Sequence, residues 1–273
     1  FLFLLLGLLG WSGATFARTL NTGLGPFEVR THYPLTHQFL AVHPESPETL
    51  PRGTARLSYG YATANSFYNT QAPSKQITTT EFKRGLTIAD FLDENGNTVR
   101  GFSLYLDVET QRHTLDWRYG LTNSLELSLR MPFLTFDGGF MDPYIEKVHD
   151  MIGVSNSSIG GGWRAYSPRN TYAFYVVKDG AFLYASEETF THVAGEPSAG
   201  LKWNFIKGGE LLPAISLKLE YKAGNPDRTG VKQLVRSGGN DWGYYLLLSK
   251  GFGSWLAYFG DGVTRIGKNN DLA

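Results

Sequence analysis

The sequence contains no cysteine. That excludes disulfides, thiol nucleophiles and cysteine metal sites, and it suits an oxidising envelope compartment. Charge is scarce, at 18% of 273 residues, and it is balanced, with 25 Lys+Arg against 25 Asp+Glu. Balanced charge offers no basic patch for nucleic acid and no surplus that would select an acidic partner. Hydrophobic residues make up 42% of the chain, yet no internal run reaches the ~18 apolar residues a membrane helix needs. Membrane residence would therefore have to come from strands, which hide their apolar face in alternation. The six histidines, His32, His37, His43, His113, His149 and His192, are scattered with no i, i+4 helical pair, so no metal site is expected. Gly160-Gly161-Gly162 lacks the strand-to-helix context and the Lys-Ser/Thr of a phosphate loop, and nothing else calls for a cofactor.

What the chain does contain is aromatic residues (14%) and 32 glycines, as aromatic girdles and tight turns would require. The clearest pattern is His113 to Phe133, two alternating runs joined by the polar break Thr122 to Ser124. Leu115, Trp117, Tyr119 and Leu121 share one face, opposite Thr114, Asp116, Arg118 and Gly120. Leu125, Leu127, Leu129, Met131 and Phe133 then share a face opposite Glu126, Ser128 and Arg130. Period two over this length predicts a β-hairpin. One face carries only apolar side chains and the other carries both signs of charge, as in a barrel strand with lipid outside and polar contacts inside. Placing Leu121 opposite Leu125 pairs Tyr119 with Leu127, Trp117 with Leu129, and Asp116 with Arg130. A one-residue slip would put those charges into lipid.

The same alternation recurs at Ala55–Thr63, Pro197–Phe205, Ile215–Lys222 and Trp242–Leu248. Ser254 to Val263 is a last strand whose facing is ambiguous, because Trp255, Ala257 and Phe259 compete with Leu256 and Tyr258. A short strand is expected near Ile77 to Phe82, a turn at Asp93 to Gly96, and a hairpin over 172–185 turning at Lys178-Asp179-Gly180. Short turns at 122–124, 206–210 and 250–254 alternate with long polar loops at 64–98, 137–196 and 223–240, the arrangement of outer-membrane barrels. The expected fold is thus all-β, an antiparallel transmembrane β-barrel of seven strands, or nine if 172–185 also spans. Either count is odd where a closed barrel normally has an even one, which implies that the sequence is cut. Residues 1–17 read as a secretory signal peptide with its start missing: Phe1 to Leu9 is almost wholly Leu and Phe, and small residues follow. Residues 18–53, with prolines at 26, 34, 44, 47 and 51, read as an extended lead-in lying inside the barrel or at its periplasmic end, and 54–273 as the barrel. Within the insertion 137–196, Asp142-Pro143 looks like a helix start with Asp as N-cap, and Gly153 ends the run.

Two sets of side chains are candidates for function. Arg56, Asp116, Arg118, Glu126, Arg130, Lys202, Lys218, Glu220 and Lys222 would line the lumen, either as a wet channel or as a closed interior tied by cross-strand ion pairs. His149 and Asp150, with Glu146 one turn away and serines at 155, 157 and 158, would be the catalytic group of a hydrolase acting on lipid or lipopolysaccharide. A solvated face on an amphipathic helix is the simpler account of the same residues.

Three segments in order carry a family resemblance: Gly25 to Leu35, the turn Arg118 to Thr122, and Gly138 to Asp142 with Ile145-Glu146 and His149-Asp150. Together they resemble an uncharacterised family of Gram-negative envelope proteins, catalogued only as a domain of unknown function and regarded as outer-membrane-barrel-like. The resemblance implies a compartment and a fold and supplies no catalytic residue. The expectation is a non-catalytic outer-membrane protein, a passive channel or a structural envelope component, with membrane lipid as its partner. The alternatives are the hydrolase and a soluble periplasmic β-sandwich that binds a ligand, which alternation alone does not exclude.

Overall fold

The computed structural model describes residues 25–26, 30–41, 43–70, 78–98, 101–154, 164 and 166–268. The expected targeting segment 1–17, Ile77, Ser155, Ser157, Ser158, the triple glycine and the last five residues fall outside them. The described chain folds as one antiparallel sheet of ten strands that is not closed. The strands are β1 (Ala55–Thr70), β2 (Phe102–Gly120), β3 (Leu125–Asp137), β4 (Ala173–Lys178), β5 (Ala181–Ser186), β6 (Phe190–Ala194), β7 (Ser198–Lys207), β8 (Ala214–Lys222), β9 (Asp241–Phe252) and β10 (Trp255–Arg265). Two helices interrupt them, α1 (Thr79–Arg84) and α2 (Asp142–Ile152).

Seven strands, β1-β2-β3-β7-β8-β9-β10, form a meander with short turns after β2, β7 and β9 at one end and long connections at the other. The β2–β3 register is the one the hairpin pattern demands: Tyr119 opposite Leu127, Trp117 opposite Leu129, Asp116 opposite Arg130. Alternation does the rest. Leu57 is 69% exposed and Leu217 47%, whereas Lys202 is 2% and Glu126 3% exposed. The last strand, ambiguous by pattern, turns Trp255, Ala257 and Phe259 to the same exposed face. The usual burial rule is thereby inverted over this part of the sheet.

Toward the long-loop end the sheet changes character. The hairpin β4–β5 forms as expected, with Asp179 and Gly180 at positive φ. It pairs only with Phe102–Asp107 of β2, beyond the stretch where β2 meets β3. It therefore extends the sheet at one end and stands outside the seven-strand meander. Here the even-numbered face of β2 is apolar: Leu104, Leu106 and Val108 pack with Leu134, Phe136, Phe174 and Val176 in a fully buried core. Tyr105 on the opposite face joins Tyr175, Val177 and Phe91 in a second one.

Two local expectations need correction. Residues 79–84 are helix where a short strand was expected. The Thr78 hydroxyl accepts from the Glu81 amide while the Glu81 carboxylate accepts from the Thr78 amide, a reciprocal cap that outweighs the β preference of the threonine run. Asp142 is the first residue of α2 and not its cap, because its carboxylate is drawn away to Asn65, the Asn170 amide and Arg164. Gly153, at φ 74°, ends the helix as expected.

The lead-in is positioned by the sheet. A 3-10 helix, Pro34–Gln38, sits at the long-loop end against Leu234 and Phe136, and the chain then runs along the charged face to the short-turn end. We call that face inner and the opposite face outer. At the short-turn end the Gly53 amide donates to the Gly120 carbonyl, and a Cβ on Gly120 would lie 2.2 Å from the Pro51 oxygen. Gly120→Ala should therefore destabilise the protein by about 1–3 kcal/mol through overpacking. Gly60→Ala, whose Cβ would meet its nearest neighbour at 3.9 Å, should stay within about 0.5 kcal/mol of wild type. Denaturant unfolding of the two variants checks this, and equal midpoints would be evidence against the close passage at Gly120.

Candidate functional site

Alternation puts Arg56, Asp116, Arg118, Glu126, Arg130, Lys202, Lys218, Glu220 and Lys222 on the inner face, and all but Arg56 and Arg118 are fully buried. Register then decides which of them meet. Asp116 and Arg130 are directly opposite and bond at 2.8 Å, with Arg118 Nε also donating to Asp116 at 2.9 Å. Glu126, Lys202 and Lys218 fall in one row across β3, β7 and β8. That row sets two ammonium groups face to face, a repulsive arrangement on an antiparallel pair. Glu45 of the lead-in resolves it, accepting from Lys202 and from Lys218 at 2.9 Å each and lying 3.3 Å from Arg118. Glu126 adds a second contact to Lys202 at 3.1 Å, and Glu220 one to Lys218 at 3.2 Å. Lys222 is held by Glu196 and by Asp241 at 3.3 Å, and it donates to the Gln38 carbonyl at 2.8 Å.

The expected inner-face set holds six cations and three acids. The structure brings in three more acids from outside that set, Glu45, Glu196 and Asp241, and each touches one of those cations. The charge deficit was the available signal for them; the distances in sequence gave no hint. The lead-in backbone is bound as well. Lys202 donates to the Ser46 carbonyl at 3.0 Å, Ser216 donates to the Pro47 carbonyl, and the Leu50 amide donates to Glu126 at 2.8 Å. The amide of Leu40 donates to Asp241 at 2.9 Å and Ser249 donates to Glu48 at 2.8 Å.

Burial alone would raise the Glu45 carboxyl, but Lys218, Lys202 and Arg118 outweigh it and hold it well below the ordinary carboxylate range. Burial lowers His37, helped by Arg30 and Arg112. It lowers His43 too, helped by Arg130, Arg30 and Lys218. Both imidazoles are therefore neutral at pH 7. They border a cavity of about 20 Å³ with Arg112, Arg130, Glu220 and Lys222, room for about one water molecule.

The other candidate group lies on α2. Glu146 is turned to Arg169 and Arg164, Asp150 is exposed, and His149 is half-buried. The nearby serines lie outside the described residues. Sequence reasoning missed Arg164, a buried guanidinium that ties Asp142 of α2 to Asp107 of β2 across the outer face. Among the described residues no three His, Cys, Asp or Glu side chains gather for a metal. The histidines that do come together are pairs, His113 with His192 at 4.8 Å between ring centres and His32 with His37 at 5.5 Å.

The chain is similar over residues 99–224 to a family described as "Protein of unknown function (DUF3187)". That stretch includes β2, β3, α2, β7 and β8, hence most of the charged row, but not the lead-in. No curated protein and no solved structure matches the chain.

Two outcomes follow for the lead-in. Glu45→Gln leaves two buried ammonium groups opposed, which should cost about 3–5 kcal/mol, and Lys218→Met added to it should restore part of the loss. Unfolding midpoints of the single and double variants measure this; strictly additive losses would contradict the contact. Acid should also loosen the segment in two stages. The folded pKa values of His37 and His43 lie below their ordinary 6.5, so stability falls as pH drops below about 6.5. That of Glu45 lies below its ordinary 4.5, so a further loss begins below about pH 4.5. Limited proteolysis of 34–51 against pH would register both stages, and cleavage that increased toward alkaline pH would refute the assignment.

Proposed function

We propose that the protein is a non-catalytic outer-membrane β-barrel component whose interior is filled by its own lead-in, a structural element of the envelope and not an open channel. One observation carries this reading: on the short-turn side of the Tyr61–His113–Phe133 row, the outer face of β1, β2, β3, β7 and β8 is apolar and exposed or half-exposed, while the inner face of β2, β3, β7 and β8 is charged and largely buried. In water such a face would be a large aggregation liability, since soluble monomers rarely expose apolar patches beyond about 300–600 Å². In lipid it is the required surface. The alternation of short and long connections supports the same reading, with the short turns on the periplasmic side. A soluble sandwich needs a second sheet against that apolar face, and among the described residues none lies on it. β1 and β10 are the edges and run in the same direction. A closed antiparallel barrel built on this sheet therefore needs an odd number of strands between them, which agrees with the even totals of such barrels. The saturated inner-face ion pairs favour a closed interior over a passive pore.

Detergent-extracted full-length protein should migrate differently on a denaturing gel before and after boiling. Leu217→Lys, on the outer face of β8, should lose about 2–4 kcal/mol of stability in vesicles, the cost of a cation near the bilayer midplane. A chain that stays soluble without detergent, or a Leu217→Lys variant as stable as wild type in vesicles, would overturn the reading.

A further inference from the structure

The outer face changes polarity along β2. Up to the row Tyr61, His113 and Phe133 it is apolar; beyond that row it carries Thr63, Gln111 and Thr135, then Asn65, Glu109 and Asp137. Helix α2 is fastened at this boundary. The amides of Phe140 and Met141 both donate to Glu109 at 2.8 Å, Asn65 donates to Asp142 at 2.9 Å, and Thr63 contacts the Met141 sulfur. A Cβ on Gly139 would collide with the Glu109 side chain, so the chain presses directly on the wall here. Thr63 lies two residues, about 7 Å, above Tyr61. The helix thus starts about 7 Å beyond the apolar band, on the same face of the sheet.

Its sides are divided accordingly. Asp142 and Glu146 face the wall and are taken up by Asn65, Arg164 and Arg169. Tyr144, Val148, Met151 and Ile152, at i, i+4, i+7 and i+8, make one stripe, all exposed, with Met151 the most so at 77%. Exposed Phe140 stands beside Tyr144 in an edge-to-face contact and carries the apolar surface down toward the sheet. A free amphipathic helix chooses its own orientation. This one is locked with its polar side against protein and its apolar side outward, on the same face of the sheet as the apolar band.

Resting on the membrane reading above, we propose that α2 is an interfacial foot, whose stripe Tyr144-Val148-Met151-Ile152, with Phe140, lies in the boundary between headgroups and acyl chains of the leaflet on the long-loop side. Such helices lie in the plane of the interface with the apolar face sunk about 5–10 Å. Lys147, on the flank of the stripe, keeps its ammonium at the headgroups while its stem follows the apolar surface. The insertion 137–196 is then an anchor that fixes the depth and rotation of the wall, and His149 and Asp150 stand on its watered side.

The absence of cysteine makes the test clean. Met151→Cys and Tyr144→Cys on the stripe, and Asp150→Cys off it, are each labelled with a polarity-sensitive dye in the full chain and reconstituted into phosphatidylcholine vesicles, with and without acyl-chain bromination. Tryptophans of the outer face, Trp117, Trp203, Trp242 and Trp255, report the wall in the same samples. The proposal expects bromine to quench the dye at 151 and 144 about as strongly as the tryptophans, and to leave the dye at 150 unchanged. Quenched tryptophans with an unquenched, water-exposed dye at 151 and 144 would overturn the foot and leave the membrane reading intact. A dye shielded from a water-soluble quencher yet untouched by bromine would mean that protein, such as a second copy of this chain, covers the stripe, which also overturns it. Unquenched tryptophans would remove the membrane reading and this inference with it.

Discussion

Lys202 and Lys218 face each other directly across β7 and β8, and besides the strand acids Glu126 and Glu220 a carboxylate from a distant part of the chain, Glu45, enters between them and binds both. Breaking one partner of a buried ion pair is far more costly than never burying it. The inner face therefore cannot be assembled strand by strand and left wet. It requires Glu45, and with Glu45 comes the whole segment from Gln38 to Gly53, which supplies backbone acceptors to Lys202, Lys222 and Ser216. The lead-in and the inner face of the meander thus form one polar core.

The polarity of that core is only half of the sheet's logic. Beyond the Tyr61–His113–Phe133 row the strands continue without a break, but their faces exchange roles. The inner side becomes an apolar core around Leu106, Leu134 and Phe136, while the outer side first becomes polar under α2 and Arg164 and then, from Tyr105, joins a second apolar core. A single period-two pattern cannot produce this, since alternation preserves facing. What changes is which of the two alternating series is apolar. In β2 the odd residues are apolar or aromatic from His113 to Tyr119, and the even residues from Leu104 to Val108.

The strands of the meander were legible because each carries its own evidence: alternation, a turn of suitable length, and a register that keeps charge off the apolar side. The hairpin at 172–185 was legible for the same reason, through Asp179-Gly180, although its role as an extension of β2 depends on a partner far away in sequence. The lead-in was not legible in detail. Five prolines remove periodicity, and its conformation is dictated by the acceptors and ammonium groups it meets. The surplus of cations on the expected inner face pointed to missing acids without saying which. Asp142 failed as a cap for a related reason: Arg164 and Asn65 compete for a carboxylate that local propensity would have kept at home. At Thr78 and Glu81 the signal is local, since the spacing of a threonine and a glutamate three residues on is that of a reciprocal cap.

The filled interior also bears on how wide a closed wall built on this sheet would be. A barrel of about eight strands has an interior that its own side chains fill. Here lysines, arginines and glutamates already project inward from β2, β3, β7 and β8, and a backbone segment runs among them as well. One added strand would satisfy antiparallel parity but would give the narrowest interior, with no space for both. Any closed wall built on this sheet would have to hold both, because Glu45, bonded to Lys202 and Lys218, keeps the segment among those side chains.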